Sequence, residues 1–375
     1  MRVLHVYSGN LFGGIEAILL SIARGRTCCP EVQHEFALCF EARLSHELKL
    51  TAARVHHLGS VRLRNPTSAR AARAALSRLL ESDTFDRVVC HAPWSQAIFG
   101  GVARRAGIPL AFWAHDVMTG RHWTERLARR VTPDLAICNS RFTAGTLQRL
   151  YPEVSSAVVY APVAVPRAPI TDEERRVTRS LLNTPETTTV IVQASRSEAW
   201  KGHASLIKAF ADLGDVPDWI WWQVGGAQRP GEARFLDSLK QSARRLGVAD
   251  RIRWIGERDD VPRLLAAADV YCQANLQPEP FGVVFVEALA AGLPVITTAF
   301  GGPCEIVDDS CGILVPPRDQ PALAAALRSI VGDRARRSKL AQAAPARARQ
   351  LCDPSTTLRR LRDVLAEMTP AAVHA

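Results

Sequence analysis

The 375-residue sequence has neither a long apolar run nor a paired-cysteine motif. No stretch approaches the roughly 18 consecutive apolar residues of a membrane span, and Met1–Tyr7 has the pattern of a first strand rather than of a signal peptide. The nine cysteines include no C-x-x-C pair, and Cys39, Cys90, Cys138 and Cys272 lie in apolar, strand-like runs. We therefore expect buried, reduced cysteines in a protein that is cytoplasmic or peripheral at the inner face of the membrane.

The sequence also lacks the short motifs that bind metals or nucleic acids. It has no D-x-D motif and no set of cysteine, histidine and carboxylate residues at metal-ligand spacing. No metal and no other cofactor is therefore expected. The basic residues are spread over separate predicted helices without zinc-finger spacing, a recognition-helix pattern or a basic-aromatic motif. Nucleic acid is not expected as a partner, and the oligomeric state is left open.

Lysine is scarce, with 5 lysines against 42 arginines, although the net charge is +10. Residues 1–165 hold 20 basic and 12 acidic residues, whereas the remainder holds 27 and 25. A basic first half favours an anionic partner, such as a membrane surface or a charged acceptor. The alternative is a GC-rich coding bias on solvated helices. The arginines concerned surround two predicted helices: Arg62, Arg64, Arg70, Arg73 and Arg78 in one group, and Arg121, Arg126, Arg129 and Arg130 in the other.

Short apolar segments rich in β-formers alternate with longer helical patterns along the chain. This alternation is typical of parallel sheets with crossover helices, and the chain is too long for one ordinary core. We therefore predict two doubly wound domains. The predicted strands are 2–8, 34–40, 53–59, 87–92, 108–114, 135–139 and 157–161, then 188–194, 219–225, 251–255, 270–274, 294–298 and 312–315.

Residues 161–169 contain three prolines and separate the two sets of strands. Because proline lacks an amide donor and disfavours a preceding helix, this segment predicts a semi-rigid linker. Helical patterns follow at 171–183, at about 333–350 and after Asp353. The last, amphipathic helix needs a surface to cover, and we expect it to return to the first domain. The predicted division is 1–165, 166–352 and a C-terminal segment 353–375.

The segment from Glu279 to Pro294 follows a predicted strand and begins a helix near Gly282. Glu279 precedes this helix, whose N-terminal amides can bind an anion. Glu287 lies eight positions later on an otherwise apolar helix, where a carboxylate needs a partner. Ribose hydroxyls are suitable donors for it. The structural alternative is that Glu279 caps the helix and Glu287 pairs with an arginine.

A cationic loop follows the predicted strand 188–194. Arg196 and Lys201 lie in this loop with four residues between them, and Gly202 permits close packing. Two cations at a strand-to-helix loop can bind a diphosphate leaving group. The alternative is that both side chains are simply solvated.

The first half contributes a glycine pair and a histidine. Gly13 and Gly14 follow the first strand, and paired glycines either let a phosphate approach the backbone or form a simple turn. Because G-x-G-x-x-G is absent, a dinucleotide cofactor is not indicated. His115 and Asp116 end the strand 108–114, at the carboxyl edge where open α/β sheets bind ligands. The alternative is that this lone histidine has only a structural role.

Together these segments resemble the retaining GT-B-fold glycosyltransferases of family 4, the glycosyl transferases group 1. Residues 279–287 match the family's E-x7-E motif, 196–202 match its R-x4-K-G loop, and 13–14 match its glycine-glycine loop. The segments 300–305 and 311–315 are similar to its G-G-x-x-E segment and the strand that follows.

Two segments are assigned supporting roles, one from this set and one elsewhere in the second group of strands. Pro303 directly follows the glycines of the G-G-x-x-E segment and departs from the family pattern. We interpret that segment as scaffold around the donor site, with Glu305 not catalytic. Residues 254–257 end another predicted strand and are a candidate lining for the base pocket.

The resemblance implies a GT-B fold, in which two Rossmann-like domains face a central cleft and a C-terminal helix crosses back to the first domain. Glu279 would face the hydroxyls of the donor sugar, and Glu287 would bind the ribose. The amides near Phe281, Gly282 and Val283 would approach the diphosphate.

The remaining roles that the resemblance implies fall on charged and imidazole side chains. Arg196 and Lys201 would stabilise the leaving diphosphate, with no metal at the site. His115 would hydrogen-bond the donor sugar near the reacting centre. Asp116, the next residue in the sequence, is our own candidate for a residue that orients it. Gly13 and Gly14 would complete the donor-binding set.

The implied activity is transfer of a sugar, with retention of anomeric configuration, from a nucleotide diphosphate sugar to an acceptor hydroxyl. A UDP-sugar is favoured as donor and a GDP-sugar is next. The acceptor is a saccharide, a lipid-linked molecule or a small molecule. Two rivals are a nucleotide-sugar epimerase and a catalytically silent sugar-nucleotide binder. The presence of Arg196, Lys201, Glu279 and Glu287 favours the transferase.

Overall fold

The computed structural model describes residues 1–62, 65–166, 168–214, 216 and 218–368. Two compact units make up the chain. The first comprises Met1–Pro162 and the C-terminal segment from Cys352, and the second comprises Val163–Leu351. The sequence placed these boundaries at 165/166 and 352/353. Of the predicted C-terminal segment, residues 369–375 lie outside the described part of the chain.

Parallel strands and crossover helices alternate through residues 1–162. The strands are β1 (Arg2–Tyr7), β2 (Gln33–Leu38), β3 (Val55–His57), β4 (Arg87–His91), β5 (Leu110–Ala114), β6 (Leu135–Cys138) and β7 (Ser156–Val158). The helices are α1 (Gly14–Arg24), α2 (Arg43–Leu50), α3 (Pro66–Ser82), α4 (Ala92–Arg105), α5 (Trp123–Ala128) and α6 (Arg141–Leu147). The seven strands pair in the order β3-β2-β1-β4-β5-β6-β7.

The second unit repeats this alternation. Its strands are β8 (Thr189–Ala194), β9 (Trp219–Val224), β10 (Ile252–Gly256), β11 (Val270–Gln273), β12 (Val295–Thr298) and β13 (Gly312–Val315). Its helices are α7 (Asp172–Leu181), α8 (His203–Ala211), α9 (Pro230–Arg245), α10 (Val261–Ala267), α11 (Val283–Ala290), α12 (Pro303–Ile306), α13 (Gln320–Val331) and α14 (Arg334–Cys352). The parallel sheet has the order β10-β9-β8-β11-β12-β13. The last helix, α15 (Pro354–Ala366), belongs to the first unit.

Each predicted strand is present, and the doubly wound parallel fold of both units is confirmed. Strands such as β5 are buried along their whole length, because crossover helices cover both faces of a parallel sheet. The prediction 53–59 is longer than the observed β3, which lies at the edge of its sheet and has one pairing partner. Residues 159–166, before the undescribed residue 167, have no regular secondary structure.

The C-terminal helix α15 packs on the first unit, as expected. Asp353 caps it by accepting hydrogen bonds from the amides of Ser355 and Thr356, an arrangement that satisfies free N–H groups at a helix start. Its apolar face is buried, including Leu358 and Leu361. In addition, Arg87 Nε donates to the Leu365 carbonyl at 2.8 Å. Each fully buried leucine contributes about 2 kcal/mol, so the helix is an integral part of the unit.

Both sheets reverse their strand order at one point, between β1 and β4 in the first unit and between β8 and β11 in the second. Open α/β sheets bind ligands outside the carboxyl ends of the strands at such a point. The loops that follow β8 and β11 carry the cationic loop and Glu279. The loop after β1 ends at Gly13, and Gly14 is the first residue of α1. Among the described helices, none combines the length and the hydrophobicity required to cross a bilayer.

Candidate active site

Glu279 and Lys201, which the sequence places in separate motifs, form an ion pair beyond β8 and β11. Oε2 of Glu279 accepts hydrogen bonds from Lys201 Nζ at 2.7 Å and from Asn275 Nδ2 at 3.0 Å. Only 8% of Glu279 is exposed. A carboxylate in such an environment requires a paired charge and further hydrogen bonds. These side chains therefore form one electrostatic unit at the point where the second sheet reverses.

A buried polar chain supports this pair from within the sheet. Tyr271 Oη donates to Gln273 Oε1 at 2.9 Å, and Gln273 Nε2 donates to Asn275 Oδ1 at 2.9 Å. The sequence analysis missed Gln273 and Asn275. The available signal was polar residues at alternate positions: Tyr271 and Gln273 share one face of β11, and Asn275 follows in the loop two residues later. Their role is to hold the Glu279 carboxylate in place.

Two glycines permit the close packing of this site. Gly202 has φ 77°, and a Cβ atom there would lie 1.8 Å from the Ala274 carbonyl oxygen. Gly301 has φ 89°, and its Cβ would lie 2.4 Å from the carbonyl oxygen of Glu279. Because a left-handed conformation and a backbone contact coincide, other residues are excluded at both positions. The predicted role of Gly202 in close packing is confirmed.

The E-x7-E segment adopts the expected strand-loop-helix conformation. Gly282 is the N-cap of α11, and Val283 is its first residue. Phe281 is buried in the preceding loop. Glu287 lies half-buried on α11 itself. The N-terminus of α11 thus follows directly after Glu279, where its dipole favours an anion.

The G-G-x-x-E segment packs against the Glu279 loop through the backbone. The amide of Glu279 donates to the Phe300 carbonyl at 3.2 Å, and the amide of Gly302 donates to the Glu279 carbonyl at 2.8 Å. This arrangement supports the interpretation of the segment as scaffold. Glu305 lies in α12.

Arg196 is held by two carboxylates that the sequence analysis did not identify. Its Nη2 lies 2.7 Å from Glu198 Oε1, and its Nη1 lies 3.5 Å from Glu232 Oε1. Glu198 is in the same loop, whereas Glu232 is in the first turn of α9. About a quarter of the Arg196 side chain, 26%, remains exposed. The guanidinium is therefore positioned by acidic neighbours and still accessible.

A neutral histidine lies behind the cationic loop. His203 is fully buried at the start of α8, and its Nε2 lies 3.2 Å from Ser195 Oγ and 3.3 Å from Gln193 Nε2. Burial lowers the pKa of His203 to about 4. The imidazole is therefore uncharged at neutral pH and packs the loop without adding positive charge.

His115 lies just beyond β5 in the first unit and is buried. Burial lowers the pKa of its ring to about 3. The expectation that Asp116 orients this ring is wrong, because the partner of His115 Nε2 is His91 Nδ1, at 2.9 Å. Asp116 is exposed, whereas His115 is buried.

Gly13 and Gly14 are exposed after β1, and Gly13 precedes α1 as its N-cap. A buried carboxylate, Glu16, accepts a hydrogen bond from the amide of Gly13 at 2.8 Å and another from Tyr7 Oη. This is half of a capping box, in which the third helical residue reaches back to the cap. Sequence analysis missed Glu16, although the spacing from Gly13 was a signal. Phosphate binding by the glycine pair stays a prediction.

Two further predictions concern the base pocket and metal ions. Trp254 packs edge-to-face on Trp221 with ring centroids 5.7 Å apart, and Glu257 is exposed. Their place in a base pocket stays a prediction. No group of three or more histidine, cysteine or carboxylate residues among those described is arranged to hold a metal ion.

Family models match most of the chain. The model described as Glycosyltransferase Family 4 matches residues 13–166, and the one described as Glycosyl transferases group 1 matches 174–347. These two segments correspond to the two structural units and contain the glycine loop, the cationic loop and the E-x7-E segment.

The chain is also similar to individual known glycosyltransferases. The lipopolysaccharide core biosynthesis glycosyltransferase LpsE of Rhizobium meliloti is 35% identical over 167 residues, 44% of this chain and 46% of that protein. A GDP-mannose-dependent monoacylated alpha-(1-6)-phosphatidylinositol monomannoside mannosyltransferase of Corynebacterium glutamicum is 28% identical over 308 residues, 76% of each chain. The crystal structure of Anabaena Alr3699/HepE in complex with UDP-glucose has a TM-score of 0.86 at 24% identity, covering 98% of this chain and 99% of that one. With both family models matched in order and the fold shared, the chain is a GT-B glycosyltransferase that joins a Glycosyltransferase Family 4 domain to a Glycosyl transferases group 1 domain.

Proposed function

We propose that this glycosyltransferase moves a sugar from a nucleotide diphosphate sugar to an acceptor hydroxyl with retention of anomeric configuration and without a metal ion. The observation that carries the proposal is the buried Lys201–Glu279 pair, hydrogen-bonded to Asn275 where the second sheet reverses its strand order. A cation and a carboxylate side by side suit the two halves of the donor. The cation suits the diphosphate, and the carboxylate suits the sugar hydroxyls.

Charge stabilisation of the leaving group falls to this chain's own residues. An ammonium group has three donors, and Lys201 directs one of them to Glu279, so further donors can bind diphosphate oxygens. Arg196 adds a second, partly exposed cation. The N-terminal amides of α11, near Phe281 and Gly282, add a helix dipole. Such preorganised groups stabilise the negative charge that develops on the diphosphate.

The proposed reaction proceeds on one face of the sugar. The acceptor oxygen bonds to the anomeric carbon from the side on which the diphosphate leaves, and the bond between that carbon and the diphosphate oxygen breaks. The acceptor proton passes to the departing diphosphate, which balances the step. Glu279 holds sugar hydroxyls, Glu287 binds the ribose, and neutral His115 hydrogen-bonds the sugar.

A UDP-sugar is the proposed donor, with a GDP-sugar as the second choice. The similarity to the Anabaena structure in complex with UDP-glucose supports the first choice. The similarity to the GDP-mannose-dependent enzyme of Corynebacterium glutamicum supports the second. Because these two relatives differ in the nucleotide base, the base is tested by a direct comparison of donors.

The proposed acceptor is a saccharide or lipid-linked hydroxyl presented at an anionic surface, with a small molecule as the remaining class. Arg70, Arg73 and Arg78 are exposed on α3, and Arg126 is exposed on α5. Clustered basic side chains bind anionic membranes without an inserted segment. Arg64, which belongs to the first predicted group, lies outside the described residues.

The test is a panel of UDP-, GDP- and ADP-sugars, with thermal shift for binding and NMR of the anomeric proton for the product. A UDP-sugar that stabilises the chain and yields product with the donor's anomeric configuration supports the proposal. An inverted product contradicts the retaining mechanism. Epimerised donor in the absence of acceptor favours an epimerase, and binding with no consumption of donor favours a silent binder.

A further inference from the structure

Four buried histidines form a continuous chain across the middle of the first sheet. His34 lies on β2, His5 on β1 and His91 on β4, and His115 follows β5. These strands are neighbours in the order β2-β1-β4-β5. This row of histidines therefore crosses the point at which the strand order of the sheet reverses, and it ends at the carboxyl edge.

Each contact in the chain joins the same pair of ring atoms. His34 Nδ1 lies 2.9 Å from His5 Nε2, His5 Nδ1 lies 2.9 Å from His91 Nε2, and His91 Nδ1 lies 2.9 Å from His115 Nε2. These distances are those of hydrogen bonds. The exposed fractions are 9% for His34, 0% for His5 and His91, and 5% for His115.

All four rings are neutral at neutral pH. Burial lowers the pKa of His34 to about 4 and that of His115 to about 3. Burial also places the pKa values of His5 and His91 well below the ordinary value, and the neighbouring imidazoles lower them further. A neutral imidazole carries a hydrogen on only one of its two nitrogens.

Neutral rings in this arrangement cannot choose their tautomers independently. If His91 carries its hydrogen on Nδ1, it donates to His115 Nε2, so His115 must also carry its hydrogen on Nδ1. The Nε2 of His91 is then bare and accepts from Nδ1 of His5. The same step applies from His5 to His34. The opposite choice places every hydrogen on Nε2, and any mixture leaves a buried contact with two hydrogens or with none.

The His115 end of the row of histidines lies where a ligand is expected. His115 Nδ1 is buried and has no hydrogen-bond partner among the described residues. Buried polar atoms in native proteins are nearly always satisfied, so an unsatisfied atom at a carboxyl edge points to a missing partner. In one tautomer this atom donates a hydrogen bond, and in the other it accepts one.

We propose that His34, His5, His91 and His115 share a single tautomer, and that His91 is a positioning residue that sets whether His115 Nδ1 donates or accepts. The identity of the bound group as the donor sugar rests on the proposed function. The coupling of the four rings does not, because it follows from contacts within the first unit. If the four rings served only for packing, their tautomers would not need to agree.

The coupling is tested by NMR of the full-length chain with ¹⁵N-labelled histidine at pH 7, without ligand. The two nitrogens of each ring report which one carries the hydrogen. We expect four neutral rings with the same tautomer. Different tautomers within the set, or an imidazolium among them, overturns the proposal. His122, which is exposed and bonded to Thr124, provides the control variant His122→Phe, in which the pattern stays unchanged.

The positioning role is tested by two substitutions of His91. His91→Phe keeps an aromatic ring beside Trp113, whose ring centroid lies 5.2 Å away, but removes both hydrogen bonds. His91→Asn retains a polar atom near the position of Nδ1, and an amide can meet His115 Nε2 in either tautomer. With UDP-glucose and GDP-mannose as donor probes, we expect kcat for donor consumption to fall about 10- to 100-fold in His91→Phe, the range known for loss of a partner that orients a metal-binding histidine. Only part of this loss should be recovered in His91→Asn, because the amide restores a hydrogen bond to His115 Nε2 but does not fix the tautomer of His115.

Unchanged kcat in a folded His91→Phe protein overturns the positioning role, and so does an equal loss in both variants. If His91→Phe does not fold, His34→Gln at the far end of the chain provides the second test. A change in the tautomer balance of His115 in that variant supports coupling, and an unchanged balance overturns it. Failure of the proposed function is distinct, because it appears as absent turnover in the unmodified chain and leaves the NMR result standing.

Discussion

The Lys201–Glu279 pair permits a separation of stability from catalysis. Lys201→Met leaves a carboxylate that is 8% exposed with amide donors alone. Removing one partner of a buried pair costs about 3–5 kcal/mol. The two side chains keep 15% and 11% exposure, so we expect the lower end of that range, about 3 kcal/mol.

The perturbation is a double-mutant cycle with Lys201→Met, Glu279→Gln and the pair combined. In the double variant no charge is left buried, and glutamine still accepts from Asn275. We therefore expect the double variant to be more stable than Lys201→Met alone, with a coupling of about 2 kcal/mol between the two positions. Lys208→Met on α8, where the lysine is exposed, is the matched control and should change stability by less than about 0.5 kcal/mol.

Urea unfolding, monitored by hydrogen exchange of the β11 amides, measures the stability of the second unit. A transfer assay measures turnover. All variants of the pair should lose at least about 100-fold in kcat, the scale of removing one preorganised charge contact. Recovered stability in the double variant should not restore turnover. Additive stability changes would refute the electrostatic unit, and near-normal turnover in Lys201→Met would refute its catalytic assignment.

Three further predictions concern the nucleotide, the metal and the membrane. Glu287→Ala should weaken binding of free UDP or GDP, because both contain ribose, whereas Glu279→Gln should spare that affinity and impair transfer; isothermal titration showing equal losses would disprove the division of roles. Transfer in excess EDTA should proceed at close to the untreated rate, and loss of activity that magnesium or manganese restores would contradict it. Sedimentation with anionic vesicles at low salt should detect binding that high salt and neutral lipid abolish. Replacing Arg70 and Arg78 by glutamine should weaken it about 30-fold, at roughly 1 kcal/mol per charge, whereas Arg244→Gln on α9 should not; indifference to lipid charge would argue for a soluble acceptor.

Local sequence patterns were sufficient to predict the strands and helices, and to place the motifs of Lys201 and Glu279 separately. The strands are short apolar runs between helical patterns, and this signal does not depend on tertiary contacts. Motif spacing placed Lys201 before α8 and Glu279 before α11, each at the carboxyl end of a strand. Their direct contact at 2.7 Å follows from the reversal of strand order between β8 and β11, which pairing alone determines.

The missed features depend on residues far apart in the sequence. His5, His34, His91 and His115 each look like an isolated histidine, and only the sheet order places them in a row. The mistaken role of Asp116 has the same cause, because adjacency in sequence suggested a partner that the neighbouring strand provides. Gln273 and Asn275 were visible as polar positions in an apolar strand and just beyond it, but what they bind becomes evident only once the Glu279 loop is in place.

The assignment of α15 to the first unit has a consequence for synthesis of the chain. That unit is discontinuous, because the whole of Val163–Leu351 separates its sheet from α15, the helix that buries its own Leu358 and Leu361 on this unit. Domains usually fold in the order in which they leave the ribosome. Here the first sheet emerges early but lacks its last helix until Val163–Leu351 has been translated, whereas the second unit is contiguous and can complete its core first. Nascent chains stalled before Cys352 should therefore be cleaved by protease in the first unit, and chains released after α15 should resist.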